Sequence, residues 1–330
     1  MVWIVFLVTS ALIVFAATQL AKYADVIAVR TRLGGMFIGI LLLAGATSLP
    51  ELLTTISSLA QGVPNLAAGS LLGSNLFNMF LLAVLDLLNR RERILRKAAM
   101  KHALSGSLTI FLIALVVFFI LADIPARVGW VGLDGVAIIL AYVIGVWLIH
   151  ANQPRLSFGA KEKIPVPEGT PSLRDGLIGF GIAALGLTVV TPLMVRSSTE
   201  IAEITGLGTT FVGTTLVALV TSLPECVTTV AAVRLGADDM AIGNLFGSNM
   251  FNMLAIGLTD VFYLQGRFLG VIDPAFLLVG MLGLLMTGLG LIGNLARLER
   301  RVFYIELDAL ALMILFFAGL YLLYTRGIGC

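Results

Sequence analysis

Two short polar blocks recur in this chain 174 residues apart, and both copies lie inside long apolar stretches. Thr47-Ser48-Leu49-Pro50-Glu51 returns as Thr221-Ser222-Leu223-Pro224-Glu225. Gly73-Ser74-Asn75-Leu76-Phe77-Asn78 returns as Gly247-Ser248-Asn249-Met250-Phe251-Asn252. The register is ungapped. It also pairs Phe37 with Phe211, Gly39 with Gly213, Ala44 with Ala218, Thr54-Thr55 with Thr228-Thr229, Gly62 with Gly236, Gly69 with Gly243 and Asp86 with Asp260. Shared apolar composition does not align Pro, Glu, Ser and Asn. Carboxylates, hydroxyls and amides at membrane depth are costly and mark a functional site by default. A doubled set marks one site assembled from two halves.

The apolar setting is a property of the whole chain. Only 12% of residues are charged, 59% are hydrophobic and the mean hydropathy is +1.04. A soluble domain carries about 25% charged residues, and its apolar runs stop at roughly 10–14. The composition therefore excludes a large soluble all-α protein. A net charge of +2 with no basic stripe gives no sign of a nucleic-acid partner. Cys226 and Cys330 are solitary and provide neither a disulfide framework nor metal-ligand spacing. Met1–Leu20 has no Lys or Arg before its apolar run, which favours a first transmembrane helix over a cleaved signal.

Stretches near the roughly 20 residues that a bilayer requires are expected at 2–22, 35–60, 64–88, 101–122, 128–150, 175–197, 208–234, 239–263, 270–295 and 302–325. The polar segment from His150 to Asp175 contains four prolines and reads as a linker. The expected fold is an all-α polytopic membrane protein of ten transmembrane helices in two inverted five-helix repeats. Residues 1–150 form the first repeat, 151–174 a cytoplasmic linker and 175–330 the second repeat. An odd number of spans per repeat forces the halves into opposite orientations. With both termini outside, inside loops hold 17 of the 21 Lys and Arg residues, leaving Arg127, Arg196, Arg267 and Arg326 outside. That asymmetry is the positive-inside pattern.

Pro50 has no N–H and its ring crowds the carbonyl one turn earlier, so the helix must kink or break near Ala46. Backbone around Ala44–Thr47 is expected to lose partners, which is tolerated only where it lines a cavity or finds another donor. Freed carbonyls, the Thr47 and Ser48 hydroxyls and the Glu51 carboxylate are hard oxygen ligands, suited to Na⁺, Ca²⁺ or Mg²⁺. In the second block Ser74 and Asn78 are four apart and share a helix face. Gly69 and Gly73 permit close helix approach. Asn75 and Asn249 lie off that face, where packing or hydrogen-bonding roles are expected.

Glu51 and Glu225 are the acidic residues that fall near the middle of spans. Two carboxylates forced together repel. One divalent cation, two monovalent cations or two protons restore neutrality, and competition among those states is the physical basis of exchange. The remaining polar residues read blandly. Asp86 and Asp260 are expected near helix ends facing water, Glu306 and Asp308 at the interface, and Arg90-Arg91-Glu92-Arg93 as a positive-inside anchor. His102 and His150, near span ends, read as structural or solvated, and Cys226 as core packing.

At these blocks the sequence resembles the cation/calcium exchanger superfamily, in particular its sodium/calcium exchanger branch of prokaryotic type. The match is carried by the alpha-repeat motifs in residues 36–88 and 210–262. The resemblance implies cation ligands at Ala44 (carbonyl), Thr47, Ser48, Glu51, Ser74 and Asn78. From the second half it implies Ala218 (carbonyl), Thr221, Ser222, Glu225, Ser248 and Asn252. It also implies a diamond-shaped site near the bilayer centre, and first and sixth spans that slide or rock as a pair. Ala46 and Val220 replace the usual Gly of the first signature. Asn252 stands where many sodium/calcium exchangers carry Asp, removing a third carboxylate. The short linker leaves no room for the large calcium-sensing domain of animal exchangers.

The resulting expectation is secondary antiport of Ca²⁺ against Na⁺, with the four Ser hydroxyls at 48, 74, 222 and 248 favouring bound Na⁺ over simple protonation. The alternative is Ca²⁺/H⁺ or broader cation exchange, because only two carboxylates remain. A channel fits less well, since inverted repeats around a central pocket suit alternating access. An intramembrane enzyme lacks an Asp pair or a Ser–His pair within the bilayer, and no Walker-type loop supports ATP coupling. The implied partners are inorganic cations and the lipid bilayer of a prokaryotic plasma membrane. No cofactor is implied beyond the transported ions, and a monomer is expected to suffice.

Overall fold

A chain without water at its flanks must close its backbone hydrogen bonds within each segment, and helices do so. The computed structural model describes residues 1–31, 43–88, 99–156, 169–296, 301–302 and 305–325, and the elements are helical throughout except for two short hairpins. Helix α1 spans Val2–Thr31. Helical residues 43–47 lead through Ser48 into α2, Leu49–Ala60, followed by α3, Pro64–Leu88. Helix α4, Ala99–Ala122, precedes a hairpin of β1, Arg127–Val128, and β2, Val131–Gly132, and then α5, Leu133–Leu156. The second half begins with α6, Leu173–Thr205. Helix α7 runs over Gly208–Thr221 with a π turn at Gly213–Val217, and continues after Ser222 as α8, Leu223–Arg234. Helix α9, Asp238–Phe262, a 3₁₀ turn at Phe268–Gly270 and α10, Phe276–Ala296, lead to a hairpin of β3, Arg301–Val302, and β4, Ile305–Glu306. Helix α11, Leu307–Thr325, completes the described chain.

Seven of these helices are long and apolar enough to cross a membrane, and the α7–α8 pair, bent by 41° at its break, makes an eighth. The protein is an integral membrane protein. Five expected boundaries need correction. Helices α1 and α6 continue past 22 and 197 to Thr31 and Thr205. At 30 and 33 residues they are about 45–50 Å long, more than the hydrocarbon core requires. The spans expected to open at 128 and 302 open instead with hairpins, so their helices start at Leu133 and Leu307. The span expected from 270 starts at Phe276, after the 3₁₀ turn. The Arg90–Arg93 anchor, residues 157–168 of the linker, Cys330 and the 36–42 part of the first motif lie outside the described residues.

The 174-residue register recurs in the backbone. Helix α2 plus 174 is α8, α3 plus 174 is α9, and both hairpins coincide residue for residue at the same offset. Gly62 and Gly236 close α2 and α8 at the same φ of +73°, a left-handed conformation that costs glycine little. At each turn the next residue donates back five positions, Val63 to the Ser58 carbonyl and Ala237 to the Ala232 carbonyl.

Packing divides the apolar core in two. One cluster joins α3, α4, α5, α9, α10 and α11 around Leu76, Met79, Phe246 and Phe276. The other joins α1, α6 and the start of α7 around Ile13, Leu20, Leu187 and Val212. Along α3, glycines let backbone meet backbone. A Cβ on Gly69 would lie 2.7 Å from the Thr214 amide nitrogen, and one on Gly73 would strike the Thr214 carbonyl. The α3 helix is thereby seated directly on the π turn.

Asp86 and Asp260 were expected to face water, and both are buried, as is Asp308. Asp260 accepts from the Gly132 amide at 2.7 Å and the Phe268 amide at 2.6 Å, tying the first hairpin and the 3₁₀ turn to the end of α9. Arg267, also buried, pairs with Asp134 at 3.3 Å and reaches Asp123 and the Ile124 carbonyl. Burial without these partners would cost several kcal/mol per charge, so the cluster fixes the hairpin against the bundle. His102 is buried 3.9 Å from Asp239, while His150 is exposed. Cys226 is half-buried and packs on the larger apolar cluster.

Candidate functional site

Pro50 and Pro224 sit in the first turn of α2 and α8, where a missing N–H is tolerated, and each helix break falls two residues earlier, at Ser48 and Ser222. The break places Glu51 and Glu225 in the first turns of their helices, and both are fully buried. Anionic side chains are favoured at a helix N-terminus.

The carbonyls expected to be free are occupied. The Ala44 carbonyl accepts from the Ser48 amide at 3.0 Å and from Thr47 Oγ1 at 3.1 Å. The Ala218 carbonyl accepts from the Ser222 amide at 3.0 Å and from Thr221 Oγ1 at 3.4 Å. A tight turn re-pairs these groups despite the proline, because the 48 and 222 amides still reach back four residues.

The twelve residues singled out from sequence fall on four elements that meet: the α2 and α8 breaks and the middles of α3 and α9. The two halves interlock. Glu51 Oε1 accepts from Ser74 of its own half at 3.3 Å and Ser222 of the other at 3.5 Å. Glu225 Oε1 accepts from Ser248 of its own half at 3.2 Å and Ser48 of the other at 3.0 Å. Ser48 and Ser248 hydroxyls lie 2.7 Å apart, and Ser74 and Thr221 hydroxyls 3.4 Å apart. Each carboxylate is thus held by one serine from each repeat.

The amides form a matching pair of bonds. Asn78 Nδ2 donates to Asn249 Oδ1 at 2.9 Å and to Ser248 Oγ at 3.2 Å. Asn252 Nδ2 donates to Asn75 Oδ1 at 3.0 Å. Asn75 and Asn249, expected off the site face, therefore orient the site amides. With both NH₂ groups turned away, the Asn78 and Asn252 oxygens are left facing elsewhere.

Four buried oxygens then have no hydrogen-bond partner: Glu51 Oε2, Glu225 Oε2, Asn78 Oδ1 and Asn252 Oδ1. No Lys, Arg or His among the described residues pairs with either glutamate. An unpaired buried polar atom costs about 1–3 kcal/mol, and a buried charge more. Two carboxylate and two amide oxygens related by the repeat are left without donors, and the unpartnered amide nitrogen of Asn249 lies on the residue whose oxygen already accepts from Asn78. Such a set of oxygens attracts a hard cation or a proton. The serine hydroxyls can turn lone pairs toward an ion as readily as they donate.

One participant escaped the sequence reading. Asn244, buried on α9 one turn before Ser248, donates to Thr228 at 3.0 Å and Thr229 at 3.1 Å and accepts from Thr47 at 3.5 Å. The repeat hides it, because its counterpart at 70 is Ser. The signal was present in the spacing: Asn244, Ser248 and Asn252 follow one another at four-residue steps.

The profile of the family described as "Sodium/calcium exchanger protein" matches residues 1–150 and 176–326. The chain is 29% identical to CaxA of Alkalimonas amylolytica over 97% of each chain. It is 42% identical to the "Sodium/calcium exchanger MaX1" of Methanosarcina acetivorans over 83 residues, 25% of this chain and 24% of that one. Among solved structures, an "H+/Ca2+ Exchanger CAX" superposes with a TM-score of 0.73 at 15% identity, covering 99% of this chain and 85% of that one. The sodium-calcium exchanger NCX_Mj gives 0.60 at 22% identity, covering 97% and 99%. At these identities the structural likenesses speak to the fold.

Proposed function

This chain belongs to the sodium/calcium exchanger protein family, and we propose that it is a secondary active antiporter exchanging Ca²⁺ for Na⁺ by alternating access at one central site. The observation that carries this reading is the set of four unpartnered buried oxygens on Glu51, Glu225, Asn78 and Asn252. Ca²⁺ takes six to eight oxygen ligands at about 2.3–2.6 Å. Those four, with the hydroxyls of Ser48, Ser74, Ser222 and Ser248, supply enough hard oxygens, and two carboxylates cancel the charge of one Ca²⁺. Thr47 and Thr221, and the Ala44 and Ala218 carbonyls they now occupy, join the set when the threonine hydroxyls rotate.

Ten membrane spans in two inverted halves follow from the same reading, with both termini outside. The residue-for-residue coincidence of elements at a 174-residue offset supports two like halves. The 17-to-4 division of basic residues supports their orientation. The separate apolar cluster of α1 and α6 supports their moving as a pair against the larger bundle. Residues 151–174 link the halves on the cytoplasmic side.

The second reading is Ca²⁺/H⁺ exchange, and Asn252 favours it. With two carboxylates in place of three, one Ca²⁺ or two protons each leave the pocket neutral. Three Na⁺ would leave it at +1. The deciding experiment is ⁴⁵Ca²⁺ uptake into proteoliposomes under an imposed Na⁺ gradient at fixed pH, and under a pH gradient without Na⁺. Uptake driven by Na⁺ alone supports the first reading and uptake driven by pH alone the second. Uptake under neither gradient overturns exchange.

A further inference from the structure

The repeat predicts the same surroundings for both halves of the site, and the two differ. On α2, Thr54 and Ser58 stand three and seven residues beyond Glu51 and so continue its face toward the turn at Gln61–Val63. On α3, Ser70 stands one turn before Ser74 and continues that residue's side toward the same turn. The hydroxyls of Thr54, Ser58 and Ser70 are all buried and have no hydrogen-bond partner. Most other buried helical hydroxyls in this protein donate to the carbonyl three or four residues back, as Thr109, Thr191 and Ser198 do. These three forgo that bond and leave buried hydroxyls unpaired, an arrangement that is unfavourable unless a ligand answers it.

The counterpart positions in the other half are Thr228, Ala232 and Asn244. Here Thr228 donates to the Pro224 and Glu225 carbonyls at 2.9 and 3.1 Å and accepts from Asn244 at 3.0 Å. Position 232 has no hydroxyl. The longer Asn244 side chain ties α9 to α8 and to Thr47. One half thus carries a line of unsatisfied hydroxyls leading away from the site, and the other is stitched shut by a single amide.

We propose that Thr54, Ser58 and Ser70 line the route by which the cation passes between the central site and the α2–α3 turn, and that Asn244 closes the corresponding route in the second half. The inference rests on the exchange reading above. Uncharged hydroxyls replace hydration water around a passing cation without holding it as the glutamates do, so the route conducts and does not trap. In the closed half the passing ion would first have to break the Asn244 bonds.

The direct test gives position 70 the side chain of its counterpart. Ser70→Asn should lower ⁴⁵Ca²⁺ exchange in proteoliposomes roughly tenfold, the scale of one net hydrogen bond added to a barrier, while equilibrium ⁴⁵Ca²⁺ binding to the purified protein stays within about twofold. Thr54→Val and Ser58→Ala, which keep shape and remove hydroxyls, should slow exchange in the same way and guard against misfolding of the asparagine variant. Unchanged flux in all three overturns the proposal, as does binding lost in step with flux. A second measurement is independent of transport. With Cys226 and Cys330 replaced, Ser58→Cys should react readily with a membrane-impermeant thiosulfonate from the face at the α2–α3 turn, and Ala232→Cys, behind the Asn244 bonds, should react more slowly from the opposite face. Equal reaction at both positions, or none at 58, overturns the route. If wild-type protein exchanges nothing under either gradient, the exchange reading fails, and the labelling result still decides the route.

Discussion

Replacing Glu225 by Gln removes one negative charge and almost no volume. In the structure Glu225 Oε1 is held by Ser48 and Ser248, and Oε2 has no partner. The glutamine keeps an acceptor for the two serines, so the site's shape should survive and the protein should fold. What changes is the field at the site. Two unit charges 4 Å apart interact by about 4 kcal/mol at an effective dielectric of 20, and a divalent ion doubles that. Desolvation returns part of the gain, and removing one partner of a buried ionic contact costs about 3–5 kcal/mol net. That corresponds to Ca²⁺ binding weaker by roughly 10²–10⁴-fold. The repeat predicts the same for Glu51→Gln, whose carboxylate is held by Ser74 and Ser222 in the matching arrangement. The assay is ⁴⁵Ca²⁺ exchange in proteoliposomes beside equilibrium binding to purified protein, with a thermal melt to confirm folding. Near-normal exchange in both variants would refute the two-carboxylate site. Loss in one alone would refute the symmetric reading of the pair.

Three further outcomes are expected. Single cysteines in a Cys-free background should place the His150–Asp175 and Arg90–Lys101 segments inside and both termini outside, and labelling of the linker in intact cells from outside would reject that topology. Asn252→Asp should steepen the Na⁺ dependence of Ca²⁺ flux and add pH dependence, because it supplies a third carboxylate that binds either ion or proton. Flux measured against Na⁺ at several pH values, if identical to wild type in an active variant, would show that position 252 does not tune the coupling ion. Arg267→Leu should destabilise the fold by about 3–5 kcal/mol by leaving Asp134 buried without its cation. A melting temperature unchanged from wild type would show that this cluster does not hold the hairpin.

The site was legible because its chemistry conflicts with its surroundings. Glu51, Ser74 and Asn78 stand out in apolar helices, and the second copy turns three oddities into a pattern. Helices α2, α3, α8 and α9 are punctuated by Pro and Gly, so their bounds could be read closely from the residues. Boundaries set by tertiary packing were not legible. The 127–132 and 301–306 hairpins are short, with strands of two residues, and no local composition separates them from a helix start. The extra turns of α1 and α6 carry Asp25, Arg30, Glu200 and Glu203, which look like loop residues. They remain helical because the two helices pack against each other along their length. Asp86 and Asp260 read as solvated because charge near a helix end usually is. Asp260 is buried because the Phe268 amide of the turn that follows its helix and the Gly132 amide, 128 residues away, converge on it, and no sequence window contains the second.

The carbonyls of Ala44 and Ala218 bear on mechanism as well as on prediction. A helix kinked by the proline would leave them free, yet the Ser48 and Ser222 amides and the neighbouring threonines fill both. What remains open in this conformation is the acceptors at the ends of side chains. Glu, Asn and Ser can each rotate to meet an ion, whereas a carbonyl in a re-paired turn must first lose a hydrogen bond worth about 1 kcal/mol. Full coordination therefore requires the Thr47 and Thr221 hydroxyls to leave their carbonyls. Thr47 is also the residue that Asn244 holds from the other half. Drawing the Thr47 oxygen onto an ion would loosen the Asn244 contact that closes the second-half route. On the proposed exchange reading, ion occupancy at the centre and closure on one side would share a single side chain, the kind of coupling that alternating access needs.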